Sequence, residues 1–426
     1  MSSFYIKTLG CKVNRYEEQV IRENLLSAGM RESDSAPAII VVNSCTVTGK
    51  ADAKTRGAVR GLKKRHPDAR IIVTGCHAVL KEDIERLRSI EEVDLVVPNS
   101  EKYHLHRKAA EMAGLHTCPE KTVNGITGFG RNSRAFLKIQ DGCDQGCAYC
   151  KVHMVRGPSR SRSRSDIREE FDRLVGSGYK EIVFTGICLG GWRGKGDMPF
   201  AELLRLLGKV SGEYRIRLSS IEPNFIDGKL VDAIRATDKV CGHFHIPLQS
   251  GSDNVLRRMG RRYDTSGFRG LVRMIRTVMP RAGISLDIIS GFPGEDEDDF
   301  LRTYEFIREL EPSRLHVFSY SDRRGTKAYD MPEKVPANVI KERVSSLIRL
   351  GGELQGAYCE RFAGREVEVL AERRTTDGAM EGYSGEYVRS KIFCPDLSSG
   401  ELVRGTVTEI DRENNCLVIK TSAAKG

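Results

Sequence analysis

Cys143, Cys147 and Cys150 stand in a C-x3-C-x2-C spacing in DGCDQGCAYC, directly after the apolar run AFLKIQ at 135–140. Thiolates are the soft ligands that zinc and iron–sulfur clusters select. Three of them on one short loop containing Gly142 and Gly146 can converge on one centre. Structural zinc usually takes four ligands. Three close thiolates with no obvious fourth suit an iron–sulfur cluster with one open iron. The alternative is zinc completed by His153.

Cys11, Cys45 and Cys76 have no common spacing, but each follows an apolar stretch with strand character: Phe4–Gly10, Ala38–Ser44 and Arg70–Gly75. If these strands are parallel, their C-terminal ends share one edge of a sheet, where open α/β sheets bind ligands. The three thiols are then expected to form a second three-cysteine site. The alternative is three separate buried thiols. The other cysteines (118, 188, 241, 359, 394 and 416) lack ligand spacing and read as structural, although Cys188 lies just past a predicted strand.

These groups need elements to hold them. Over residues 1–97 strands alternate with helices at Asn14–Ala28 and Gly49–His66, and DLVVP at 94–98 is a fourth strand. That order predicts a doubly wound parallel α/β sheet. From Ala135 a strand–helix unit recurs six times, with later strands at 181–186, 214–220, 241–248, 283–290 and 314–320. Six such units predict a partial (β/α)6 barrel, whose strand ends carry the site. After a helical connector, the last stretch alternates apolar and polar residues between turns, as in a small antiparallel barrel or sandwich. The expected organisation is therefore 1–115, connector 116–133, barrel 134–329, helical connector 330–362 and β domain 363–426.

The chain of 426 residues has 68 basic and 58 acidic side chains, a net charge of +10. The excess is clustered: eight arginines face one acid over 257–281, and six basic residues face one acid over 151–168. A polyanion such as nucleic acid is the expected partner, against the alternative of scattered charge serving solubility. The β domain at 363–426 is the exception, with nine basic and eleven acidic residues. No stretch approaches the ~20 apolar residues of a membrane span. The N-terminus shows no signal pattern. A cytoplasmic protein with reduced thiols and no membrane contact is expected.

The cysteine loop, with Tyr149 in the aromatic slot before the third cysteine, resembles the signature of the radical S-adenosylmethionine (radical SAM) enzymes. The whole chain resembles the methylthiotransferases of that superfamily. The matching segments are TLGCKVN (8–14), VNSCTVT (42–48), TGC (74–76), DGCDQGCAYC (141–150), RGPSRSR (156–162), TGI (185–187), RLSSIEP (217–223), HIPLQSGSD (245–253) and DIISGFPGE (287–295). TLGCKVN looks most like the branch acting on threonylcarbamoyladenosine in tRNA.

The resemblance implies two 4Fe–4S clusters and SAM as cofactors. Cys143, Cys147 and Cys150 would hold the cluster that cleaves SAM, whose radical abstracts hydrogen from C2 of the modified adenosine. Cys11, Cys45 and Cys76 would hold an auxiliary cluster that delivers methylated sulfur. The C-terminal domain would be a TRAM domain. Thr185, Gly186, Ser219, Glu222 and Gln249 would lie along the SAM site, with Tyr149. Arg160, Arg162 and Arg164, with Arg258, Arg261 and Arg262, are candidate RNA contacts; the alternative for the first three is a solvated edge. The implied partners are tRNA, SAM, a sulfur donor and a reductase or flavodoxin-like electron donor. Other functions compatible with the residues are the same reaction on isopentenyladenosine tRNA or on a ribosomal protein, and a non-enzymatic iron–sulfur RNA-binding protein. The chain departs from the family pattern at Lys151 and His153, in the stretch 151–153 where two apolar residues and proline are usual, and at Cys188.

Overall fold

Alternation along the N-terminal strands sends successive side chains to opposite faces of one sheet. Ile39 and Val41 pack with Ile21 and Leu25, while Ile40 and Val42 pack with Val59, Leu62 and Leu87. A strand apolar on both faces belongs between two layers of helices. The sheet is parallel, in the order Arg31–Glu32, Ser3–Thr8, Ile39–Ser44, Arg70–Gly75, Leu95–Val96. The two-residue edge strand Arg31–Glu32 carries no pattern long enough to be seen in sequence. Helices Lys12–Ser27 and Gly49–Arg65 match the expected positions, and Pro67 follows the second closely.

This computed structural model describes residues 2–47, 49–115, 122–123, 125–130 and 133–421. Cys118 and much of the connector expected over 116–133 lie outside the described residues. The chain divides into two compact units: Met1–Phe129 with Asp141–Ser159 and Ser321–Tyr329, and Gly130–Gln140 with Arg160–Tyr320 and Asp330–Gly426. The cysteine loop Cys143–Cys150 is part of the first unit.

The second unit holds the six parallel strands Ala135–Lys138, Glu181–Thr185, Arg215–Leu218, His243–Gln249, Gly283–Ser290 and Arg314–Ser319. They form two three-stranded ladders, with a single bridge, Ile216 to Val240, where the ladders adjoin. Side-chain caps start the intervening helices: Ser163 accepts from Asp166 N, Asp227 from Leu230 N, Asp264 from Gly267 N and Asp296 from Asp299 N. Each cap satisfies an amide that the first helical turn leaves unpaired.

Helix Ala337–Glu360 falls within the stretch 330–362 expected as a helical connector, and its last turns enter the C-terminal core. Tyr358, Cys359 and Phe362 pack there against Val369, Met380, Ile392 and Leu417. The C-terminal strands close into a five-stranded barrel, not a sandwich. It is not wholly antiparallel: Arg389–Ile392 and Cys416–Thr421 pair in parallel, and that pairing completes the closure. Barrel closure leaves no open edge on this small sheet.

Candidate functional site

The parallel register aligns Asn43 with Thr8 and Thr74, and Ser44 with Gly75, so three strand ends are level. Cys11, Cys45 and Cys76 follow these ends, and Cys11 stands at the N-cap of helix Lys12–Ser27. Asn14, one turn into that helix, organises the group. Its Nδ2 donates to the carbonyls of Leu9 (2.7 Å) and Ser44 (3.0 Å). Its Oδ1 lies 4.0 Å from Cys11 Sγ and 3.9 Å from Cys76 Sγ. A Cβ at Gly10 would lie 3.0 Å from Cys45 Sγ and 2.7 Å from Cys45 Cβ, and Gly10 has φ +105°. Glycine there is what lets the Cys11 turn close on Cys45. The three thiols thus come together with Cys11 exposed and the other two buried. Burial raises the Cys45 pKa and pushes Cys76 up to about 11, with the positive charge of Arg156 opposing the rise at both. Buried thiols gathered beside a cation fit a site that receives metal, because coordination removes the proton that burial retains.

The second cysteine set occupies a loop closed by Cys143 N donating to Gly157 O and Cys150 N donating to Cys147 O, both at 3.1 Å. Gly142, at φ +73°, has Pro158 O only 1.9 Å from where a Cβ would stand, so the two ends of the loop touch. Gln145 N lies 3.5 Å from Cys143 Sγ and Val152 N lies 3.4 Å from Cys150 Sγ. Such N–H groups favour a charged sulfur. Tyr149 is half-buried in this loop, and His153 is exposed on the helix that follows it. The donor set fits a thiolate-bound cluster.

In the second unit the strand ends collect polar groups. Thr185 is buried, and a Cβ at Gly186 would lie 3.0 Å from Gln140 Oε1, so close packing accounts for that glycine. Gln140 Oε1 in turn accepts from Cys188 N at 2.7 Å, and Cys188 is buried. Ser219 Oγ, Gln249 Oε1 and Ser290 Oγ are buried without a hydrogen-bond partner. Gln249 also holds a left-handed backbone, φ +68°. Buried orphan polar atoms are unfavourable unless a ligand or water completes them, and they fit a polar cofactor such as SAM. Burial raises the Glu222 pKa, and Arg261, hydrogen-bonded to it, opposes the rise.

Sequence reasoning missed a further chain in this unit. Ser220 Oγ lies 3.1 Å from His245 Nδ1, and His245 Nε2 lies 2.7 Å from Asp287 Oδ1. His316 joins His245 and Asp287, and ligand atoms of these three residues lie within 4.8 Å of one another. His245 and Asp287 open two of the quoted segments, HIPLQSGSD and DIISGFPGE, which was the available signal.

The candidate RNA-contact arginines separate. Arg160, Arg164 and Arg262 are exposed. Arg162 donates to Glu170 Oε2 (2.5 Å) and Lys138 O (2.7 Å), and Arg258 pairs with Glu333 at 3.0 Å. The Arg261 side chain is buried against Glu222 and Tyr263. No helix among the described residues is long and apolar enough to cross a membrane.

The model of the Radical SAM superfamily matches residues 137–307, and that of uncharacterized protein family UPF0004 matches residues 3–98. The chain is 38% identical over 400 residues to the threonylcarbamoyladenosine tRNA methylthiotransferase MtaB of Thermotoga maritima, covering 92% of each chain. It is 36% identical to the Bacillus subtilis protein of that name, covering 95% of this chain and 93% of the relative. The tRNA-2-methylthio-N(6)-dimethylallyladenosine synthase of Clostridium tetani is 35% identical, covering 87% of this chain and 85% of the relative. Among solved structures, the radical S-adenosylmethionine methyltransferase TsrM of Kitasatospora setae superposes with a TM-score of 0.54 at 13% identity, covering 77% of each chain; this likeness concerns the fold. The superfamily implies a 4Fe–4S cluster and SAM, and near-complete coverage of the relatives extends the likeness through both units. The chain belongs to the radical SAM methylthiotransferases.

Proposed function

We propose that this enzyme adds a methylthio group at C2 of N6-threonylcarbamoyladenosine, beside the anticodon of tRNA. The observation that carries the two-site chemistry is the gathering of Cys11, Cys45 and Cys76 around Asn14, a set of thiols additional to those of the C-x3-C-x2-C loop. A structural cluster is normally closed by four ligands, whereas three leave a position for an exchangeable group. In this reading Cys143, Cys147 and Cys150 would hold one cluster, the site of SAM cleavage, and the strand-end thiols would hold a second, the source of sulfur. When bound, these cofactors supply the radical and the sulfur; the protein orients and shields them.

The chain's own groups have distinct tasks. The amides of Gln145 and Val152 favour charged sulfurs on Cys143 and Cys150. Ser219 and Gln249 offer hydrogen bonds to SAM, with Thr185 and Gly186 completing its surroundings. Arg261 fixes the Glu222 carboxylate at the same strand ends. The exposed Arg160, Arg164 and Arg262 contact tRNA phosphate. An electron donor of the reductase or flavodoxin type and a separate sulfur source serve the enzyme in the cytoplasm.

The substrate assignment rests on TLGCKVN and on the relatives named for threonylcarbamoyladenosine. The Clostridium tetani relative favours dimethylallyladenosine as the second reading. Mass spectrometry of tRNA nucleosides from a deletion strain separates them. Loss of 2-methylthio-threonylcarbamoyladenosine, restored by the cloned chain, is expected. Loss of the dimethylallyl derivative instead would replace the first reading with the second.

A further inference from the structure

Arg156 opens the RGPSRSR segment, yet neither set of thiols nor the SAM positions includes it. It ends helix Val152–Arg156, directly after the cysteine loop, and its side chain is 1% exposed. Its Nε lies 3.1 Å from Cys76 Sγ. The remaining guanidinium donors are held elsewhere: Nη1 to Glu17 Oε1 at 2.5 Å, and Nη2 to Asn14 Oδ1 at 2.6 Å and Glu17 Oε2 at 3.1 Å. Both Asp141 oxygens stand 3.4 Å from Nη1. Glu17 is itself buried and also meets Lys102 Nζ at 2.6 Å. The carboxylate and amide therefore grip the planar fork on its outer edge and aim the Nε–H at sulfur. A lysine ammonium lacks that fork.

We infer that Arg156 is a positioning residue that raises the reduction potential of the cluster held by Cys11, Cys45 and Cys76, through its N–H···S bond to Cys76 and its buried charge. The inference rests on the two-cluster reading above. Reduction places an additional negative charge on a cluster. Hydrogen bonds to its sulfurs and nearby positive charge stabilise that form. Burial keeps the interaction from being screened by water. An arginine guanidinium stays protonated throughout the pH range of the enzyme, so this side chain brings a fixed positive charge. Glu17 acts on the cluster in the opposite sense, as a buried anion one side chain away. A purely structural Arg156–Glu17 ion pair would tie the loop to helix Lys12–Ser27 without changing any potential.

The test uses the full chain with both clusters reconstituted anaerobically, titrated against potential and followed by electron paramagnetic resonance. The cluster whose signal changes on adding SAM is set aside, and the midpoint of the other is read. Arg156→Gln and Arg156→Lys should move that midpoint to more negative potential with iron content retained. Glu17→Gln should move it to more positive potential, and the SAM-responsive cluster should stay where it was. An unchanged midpoint in Arg156→Gln with full iron would overturn the inference. So would shifts of the same sign in the Arg156 and Glu17 variants, or loss of the cluster in all three. Iron in the Cys76→Ala protein tests the underlying reading separately: retention of both clusters there would remove Cys76 as a ligand, whatever Arg156 does.

Discussion

Lys151 Nζ lies 2.6 Å from Asp83 Oδ2, across 68 residues of sequence, and both side chains are buried. The family pattern places an apolar residue directly after the third cysteine, and lysine there looks like a fault in the loop. The counter-charge comes from helix Lys81–Arg88. Removing one member of such a pair leaves an uncompensated buried charge, which costs about 3–5 kcal/mol, whereas replacing both with apolar groups is often nearly neutral. Lys151→Met is therefore expected to lower stability by about that amount. Lys151→Met with Asp83→Leu should recover most of it. Urea unfolding followed by circular dichroism reads both; equal losses in the single and double variants would show that the pair is not what matters.

The two thiol sets should fail differently. Cys45→Ala is expected to keep SAM cleavage to 5′-deoxyadenosine under reducing conditions but to form no methylthio product. Cys147→Ala should form no 5′-deoxyadenosine. Iron should fall from about eight to about four per chain when either set is removed entirely. Wild-type methylthiolation by Cys45→Ala would end the sulfur-carrying role of the strand-end thiols.

Glu181 is fully buried between three arginines, with Arg215 Nε at 2.7 Å, Arg217 Nε at 2.8 Å and Arg134 Nε at 3.1 Å. Arg215 and Arg217 go on to donate to the carbonyls of Glu368, Tyr383, Ser384 and Gly385 in the C-terminal barrel. Burial opposes the Glu181 charge, but Arg217, Arg215 and Arg134 outweigh it and hold the carboxyl well below its usual pKa of 4.5. Stability from a depressed carboxylate is complete above the unfolded pKa and is lost as pH falls through the folded one. Glu181→Gln should flatten the acid limb below about pH 4.5 and cost about 3–5 kcal/mol at neutral pH. The protein's one tryptophan, Trp192, is buried in the same unit, so its fluorescence follows this unfolding. An acid limb as steep as that of the wild type would contradict the assignment.

The arginine strip should divide by exposure. Each phosphate contact contributes about 0.7–0.9 to the slope of log affinity against log salt. Arg160→Ala with Arg164→Ala should therefore flatten the tRNA-binding slope by up to about 1.4–1.8. Arg162→Ala should leave the slope nearly unchanged and destabilise the protein, because Arg162 is engaged by Glu170 and Lys138 O. A slope that responds to Arg162 alone would reverse this division.

The strands preceding Cys11, Cys45 and Cys76 were legible because a short apolar run is a local property. Once the chain order implied a parallel sheet, the three strand ends had to share an edge. The helices read at Asn14–Ala28 and Gly49–His66 were legible from their place between those strands, and they stand at Lys12–Ser27 and Gly49–Arg65. The partners of the charged residues were not legible. Arg156 meets Cys76 across 80 residues and Glu17 across 139. Arg162 and Arg261 look like their exposed neighbours until Glu170 and Glu222 are found beside them. A run of arginines specifies charge but not direction; each side chain turns inward only where folding brings a carboxylate and excludes water. The longer strands and helices and the places of the thiols at strand ends could be read from the residues alone, since both follow from neighbours along the chain. Which cations are buried and paired emerged with the folded chain, because that depends on segments whose separation in sequence says nothing of their distance in space.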